Sequence, residues 1–284
     1  MATKKAGSTA KKSTRAKSQP AKAAKTTVTT VKAVQPAKAE KKVVASSLTD
    51  RRTVLAAALI GEFIGAFLLA SAFLVTKGEP LYMGFVLITL VLMVGTLSGA
   101  HLNPLLTVGA WVTRKIGHLR AISYIVAQLL GAGAAFVVVS AFVHGVAQDA
   151  SAGAYATQAQ EVFKMAALSE KNHWFAFFAE LLGATIFAFA VAGAFREKVD
   201  RVAKALTVGF GLFVAALVAG VALSYVGANV ALNPALAIAG TAVDWTKIDW
   251  FAVLAYMVAP LIGGILGFAL RDVVETKDTA ETRT

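Results

Sequence analysis

Two stretches, Leu102-Asn103-Pro104-Leu105 and Leu232-Asn233-Pro234-Ala235, stand 130 residues apart in a chain of 284 and decide how it folds. Asn is a strong helix N-cap and Pro is favoured at the first helical position, so each Asn-Pro reads as the start of a helix. The apolar runs that follow, 104–111 and 234–240, are far shorter than the ~20 residues needed to cross a ~30 Å hydrocarbon core. Eight residues reach about 12 Å, so two such half-helices meeting at their Asn ends cover about 24 Å and make one broken crossing. A break at that depth is tolerated only where the backbone is buried in protein or lines a wet cavity.

Outward from these stretches, six segments are apolar and long enough to span as helices: roughly 53–75, 81–99, 119–143, 174–195, 203–225 and 250–270. They carry an internal repeat. The first segment reads Glu62-Phe63-Ile64-Gly65-Ala66 and the fourth Glu180-Leu181-Leu182-Gly183-Ala184; the third contains Gln128-Leu129-Leu130-Gly131-Ala132 and the sixth Pro260-Leu261-Ile262-Gly263-Gly264. Each copy has three crossings, an odd number, so the copies lie in the membrane with opposite orientation and a pathway is expected at their interface near the midplane. The fold class is an all-α membrane protein, an inverted 3+3 repeat with six transmembrane helices and two re-entrant half-helices. The density of Gly and Ala suits helices that approach closely in lipid.

Composition agrees. Hydrophobic residues make up 57% of the chain, charged residues 15%, and the mean hydropathy is +0.66, too apolar for a soluble domain of this length. The net charge of +12 suggests nucleic-acid binding until it is located: residues 1–52 hold fourteen Lys or Arg against Glu40 and Asp50, and the other 232 residues are neutral overall. Three regions follow: a Lys/Ala-rich tail at 1–52, without aromatic residues or apolar periodicity and so expected to be disordered; a membrane domain at 53–272; and a polar C-terminal tail at 273–284. With the N-terminus inside, Arg114, Lys115, Arg120, Arg196, Lys198, Arg201, Lys204 and Arg271 fall on the cytoplasmic side. Lys77, Lys164, Lys171 and Lys247 fall outside, as the positive-inside rule requires. Both termini are then cytoplasmic, and the compact loops point to a multi-pass protein of a prokaryotic cytoplasmic membrane. The chain has no cysteine, and no nucleophile triad, metal-ligand cluster or phosphate-binding loop stands out, so neither an enzyme nor a cofactor is expected.

With two Asn-Pro motifs in matching places of an inverted repeat, the sequence resembles the major intrinsic protein family of aquaporins and glycerol facilitators. Ser98-Gly99-Ala100-His101-Leu102-Asn103-Pro104 matches that family's first box, and the resemblance covers about residues 53–272. It implies a passive channel for water or small uncharged, glycerol-like solutes, assembled as a homotetramer of four separate pores. Asn103, Pro104, Leu105, Asn233, Pro234 and Ala235 would form the pore midplane. His101 would line the cytoplasmic vestibule or else satisfy loop backbone as a buried polar residue. Glu62 and Glu180, carboxylates within apolar helices, are expected to brace the irregular backbone before each Asn-Pro, and Gln128 to act as packing glue.

The selectivity filter departs from the pattern. Most relatives carry an Arg two residues beyond the second Pro; here that position is Leu236. By motif spacing the remaining filter positions are Met83, Val230 and Val221 or Val218, so the ring is apolar throughout. Such a ring lacks the Arg's donors and positive charge, can gate by dewetting, and leaves charge exclusion to the midplane.

Two other readings attach to the same residues. An ion- or proton-coupled transporter would use Glu62 and Glu180 as proton carriers. A lipid- or nucleic-acid-binding activity in the basic tail would engage anionic headgroups or phosphates and be salt-sensitive.

Overall fold

The computed structural model describes residues 37–147, 161–196, 200–243 and 246–281, with side chains from Arg52 to Gly145, Glu161 to Phe195, Asp200 to Val243 and Thr246 to Glu275. Most of the expected tail, residues 1–36, lies outside the described residues, as do Lys198 and residues 282–284. The chain divides into two units, 1–45 and 46–284.

Nine α-helices are described: α1 Ala37–Thr76, α2 Pro80–Ser98, α3 Pro104–Val112, α4 His118–Ala147, α5 His173–Arg196, α6 Arg201–Ser224, α7 Pro234–Ala239, α8 Trp250–Val253 and α9 Ala259–Glu281. A π-helical turn, Leu254–Val258, joins α8 to α9. Among the described residues, six stretches are long and apolar enough to cross a membrane: Arg52–Thr76, Pro80–Ser98, His118–Gly145, Glu170–Phe195, Arg201–Ser224 and Trp250–Glu275. Both tails expected from the sequence are encroached upon by helix. Helix α1 starts at Ala37, because Pro36 is followed by the helix-forming run Ala37-Lys38-Ala39-Glu40-Lys41-Lys42; α9 runs past residue 273 to Glu281.

The repeat is visible in the packing. The short helix of each half lies against the last long helix of the other half, α3 on α9 and α7 on α4, while α2 crosses α6. That crossing is close because glycines face each other: a Cβ on Gly209 would stand 2.5 Å from the Gly84 carbonyl oxygen, and one on Gly84 3.1 Å from that of Gly209. The glycines of the repeat motif work in the same way. A Cβ on Gly131 would lie 2.4 Å from the Phe63 carbonyl oxygen, and one on Gly263 2.7 Å from that of Leu181, which are matching positions of the two halves. Large apolar side chains on the outer helix faces stay exposed, among them Leu119, Phe142 and Val137, as lipid contact requires.

Candidate functional site

Each half-helix starts as its sequence dictates. Asn103 and Asn233 adopt extended backbone, and their Oδ1 atoms accept from Leu105 N and Ala235 N, both at 2.9 Å, with Pro at the next position. Each amide also reaches across the repeat: Asn103 Nδ2 donates to the Leu232 carbonyl at 2.8 Å, and Asn233 Nδ2 to the Leu102 carbonyl at 3.2 Å. The two helix starts therefore meet. An amide nitrogen has two protons, so one N–H of each Asn remains for whatever occupies the cavity that both line.

The residue before each Asn is forced into a left-handed conformation, φ 52° at Leu102 and 47° at Leu232, unfavourable for a branched side chain. Two features hold it there. The carboxylate of the first helix of the same half accepts the loop's backbone N–H groups: Glu62 Oε1 from His101 N at 2.9 Å and Oε2 from Leu102 N at 2.7 Å; Glu180 Oε1 from Ala231 N at 2.6 Å and Oε2 from Leu232 N at 2.8 Å. One turn along the same helix a glycine makes room for the leucine: a Cβ on Gly65 would stand 2.3 Å from Leu102 Cδ2, and one on Gly183 2.7 Å from Leu232 Cδ2. Both carboxylates are fully buried and neither lines the cavity.

The halves differ in what surrounds these carboxylates. Gln128 Nε2 donates to Glu62 Oε2 at 2.7 Å and to Thr107 Oγ1 at 2.9 Å, and Thr107 donates to the Asn103 carbonyl. The second half has Pro260 and Ala237 at the matching positions, so Glu180 lacks this support. His101 belongs to the polar side. Its Nδ1 is 3.1 Å from Thr107 Oγ1, its ring packs against Tyr124 and Phe195, and it lines the cavity. Of the two readings left open for His101, the structure gives it a buried side-chain partner in Thr107 and a place in the cavity wall.

The cavity, about 420 Å³ of empty space with its open end included, runs from Gly78, Phe73 and Met83 past the two Asn residues to His101. Leu69, Leu87, Phe187, Leu212, Ala216, Val230 and Leu236 complete most of its wall, so its polar side chains are His101, Asn103 and Asn233. Of the expected filter residues, Met83, Val230 and Leu236 line it. Val221 and Val218 do not line it. Both are about half exposed, and Val221 stands on the wider mouth beyond Val230 with Lys77 and Glu79. Helix α6 turns Leu212 and Ala216 to the cavity, while Gly220 lines the wider mouth against Val230, where a Cβ on it would meet Val230 Cγ1 at 3.4 Å. Motif spacing fixes how far along α6 the filter falls; the packing of α6 on α2 and α5 fixes which face points inward. Pro104, Leu105, Pro234 and Ala235 are buried at the helix starts and do not line the cavity, and the Leu105 carbonyl packs against Gly264 of α9.

A matched pair escaped the sequence reading. Tyr124 OH donates to the Ser98 carbonyl at 2.7 Å and Tyr256 OH to the Asn229 carbonyl at 3.0 Å, so each re-entrant loop is tied to the third crossing of its own half. The signal was present, since both tyrosines lie four residues before the matched Gln128 and Pro260.

Six crossings, two half-helices meeting at paired Asn residues and a narrow cavity through the repeat interface define a membrane channel. The sequence of residues 70–270 matches the family model described as major intrinsic protein, and the chain belongs to that family. It is 28% identical to aquaporin Z of Photorhabdus laumondii over 75% of this chain and 93% of the relative. It is 27% identical to glycerol uptake facilitator protein-like 6 of Lactiplantibacillus plantarum, over 77% and 98%. The crystal structure of the aquaglyceroporin from Plasmodium falciparum has the same fold, with a TM-score of 0.56 and 22% identity over 77% of this chain and 96% of that one.

Proposed function

We propose that the chain conducts small uncharged solutes passively along the cavity between Met83 and His101, with Asn103 and Asn233 as its midplane. The observation that carries this reading is the pair of crossed amides, each with one N–H committed to the opposite loop and one left over, in a cavity otherwise nearly apolar. A water or hydroxyl oxygen accepts from those donors. A cation meets the donor ends of both Asn amides and finds no carboxylate among the lining side chains, so the site disfavours it. The names of the relatives make water and glycerol the first solutes to try. Met83, Val230, Leu236 and Gly220 form the proposed filter. The excess of Lys and Arg on the His101 side supports a reading with that side and both termini in the cytoplasm, and the compact loops support a prokaryotic membrane; four protomers, each with its own pore, and a basic tail at 1–52 lying on anionic lipid complete the reading.

Burial of Glu62 and Glu180 away from the cavity, with both oxygens of each engaged by backbone N–H groups, favours bracing over proton carriage. Stopped-flow light scattering on proteoliposomes in an inward glycerol gradient tests the proposal. Shrinkage and reswelling both faster than in empty liposomes, and abolished by Asn233→Asp, are expected; traces no faster than empty liposomes overturn it.

A further inference from the structure

Residues 161–169 form no helix or strand and lead into a 3-10 turn at Glu170–Asn172, yet the stretch 161–172 is tied into the channel at several points. Val162 and Met165 are buried, and Phe163 packs edge-on against Phe73, a cavity-lining residue, at 5.5 Å between centroids. Met165 N donates to the carbonyl of Gly240, the cap of α7, at 2.8 Å; a Cβ on Gly240 would meet Phe73 at 2.9 Å and Met165 at 3.0 Å. Ala166 N donates to Asn229 Oδ1 at 2.7 Å, and Asn172 Nδ2 to the Val226 carbonyl at 3.3 Å. The segment is a strap packed beside the cavity, against Phe73, the cap of α7 and the loop 226–229 that leads to Val230.

Asn229 is where the strap meets the pore loop. Its side chain accepts from the strap and its carbonyl accepts from Tyr256 OH in the π-helical turn of the sixth crossing, while Val230, the next residue, lines the cavity. Ala231 and Leu232 follow, held by Glu180. The stretch 229–232 is therefore pinned from three directions. Leu236 supplies no hydrogen bond from the filter itself, and Gly220 opposite Val230 supplies no side chain to stop the loop from drifting.

We infer that Asn229 is a positioning residue through which the strap 161–172 sets the bore of the channel at Val230, so that the size limit for solutes is fixed by a segment outside the repeat. The inference rests on the channel reading for its functional meaning and on the hydrogen bonds alone for its structural one. The two are separable by experiment.

The chain has no native cysteine, so Val230→Cys places a single thiol at the bore. In detergent micelles, its rate of reaction with a small methanethiosulfonate reagent is compared with and without Asn229→Leu, which keeps the size of the side chain and removes the acceptor. A rise of about tenfold is expected, with a smaller rise for Asn172→Ala and return to the slow rate for Asn229→Asp, which restores the acceptor. Equal rates in all backgrounds, with unfolding temperature unchanged, overturn the inference whether or not the protein conducts. In proteoliposomes the ratio of erythritol to glycerol permeability is expected to rise at least about threefold in Asn229→Leu. A fall of both permeabilities at constant ratio would instead mark Asn229 as merely structural and overturn the inference.

Discussion

Single residues in this protein act mainly by holding backbone that would not otherwise keep its shape. Leu102 and Leu232 sit at positive φ because a carboxylate takes the N–H groups beside them and a glycine admits their side chains. In Glu180→Gln an amide N–H faces a backbone N–H, one bond is lost, and thermal unfolding in detergent should register a loss of about 2–3 kcal/mol. Glu62→Gln should cost more, because Gln128 also donates to that carboxylate. Solute flux should fall in both without acquiring pH dependence. A well-folded Glu62→Gln that loses only a pH-dependent component of transport would argue for the coupled transporter instead. These residues were legible in the sequence because their chemistry is local: a carboxylate in an apolar helix needs a partner, and an Asn-Pro before a short apolar run starts a helix. Val221 lines the outer mouth and not the cavity, a difference that spacing cannot show because it carries no information about helix rotation, which here follows from the contact of Gly209 with Gly84 of α2 and the packing on α5.

At the scale of elements, the contacts between helices are fixed by where a side chain is missing. Gly131 and Gly263 each abut a carbonyl oxygen of the first crossing in their own half, and backbone cannot step aside as a flexible side chain does. Gly131→Ala and Gly263→Ala are each expected to destabilise by roughly 1–3 kcal/mol and to lower the yield of folded protein. Gly133→Ala, on the same helix as Gly131 but with nothing within 4 Å of the added Cβ, should be neutral or stabilising by up to ~1 kcal/mol. Chemical denaturation of the three variants under one detergent condition checks the pattern. The six crossings and two half-helices could be read from apolar length and repetition. The strap 161–172 could not, since its anchors are backbone groups and single side chains whose partners lie tens of residues away.

For the whole molecule, charge and conduction separate. The fourteen basic residues of 1–52 account for the net charge, and the neutral remainder holds the cavity. Deleting residues 1–36 should leave glycerol permeability per protein within about twofold of the full chain while removing salt-sensitive binding to vesicles rich in anionic lipid; co-sedimentation at low and high salt, beside the flux assay, measures both.

The crossed amides also bear on how the protein is made. Asn103 makes its cross-repeat hydrogen bond to the carbonyl of Leu232, and Asn233 to that of Leu102. A ribosome adding about 5–20 residues per second needs on the order of ten seconds to travel the 130 residues between the two motifs. For that interval the first Asn-Pro turn has been synthesised without its counterpart, so the first three crossings enter the bilayer as a half-finished clasp. Completion of the pore is therefore a late, all-or-none event in biosynthesis, and a chain cut between the repeats must find its other half before either can close.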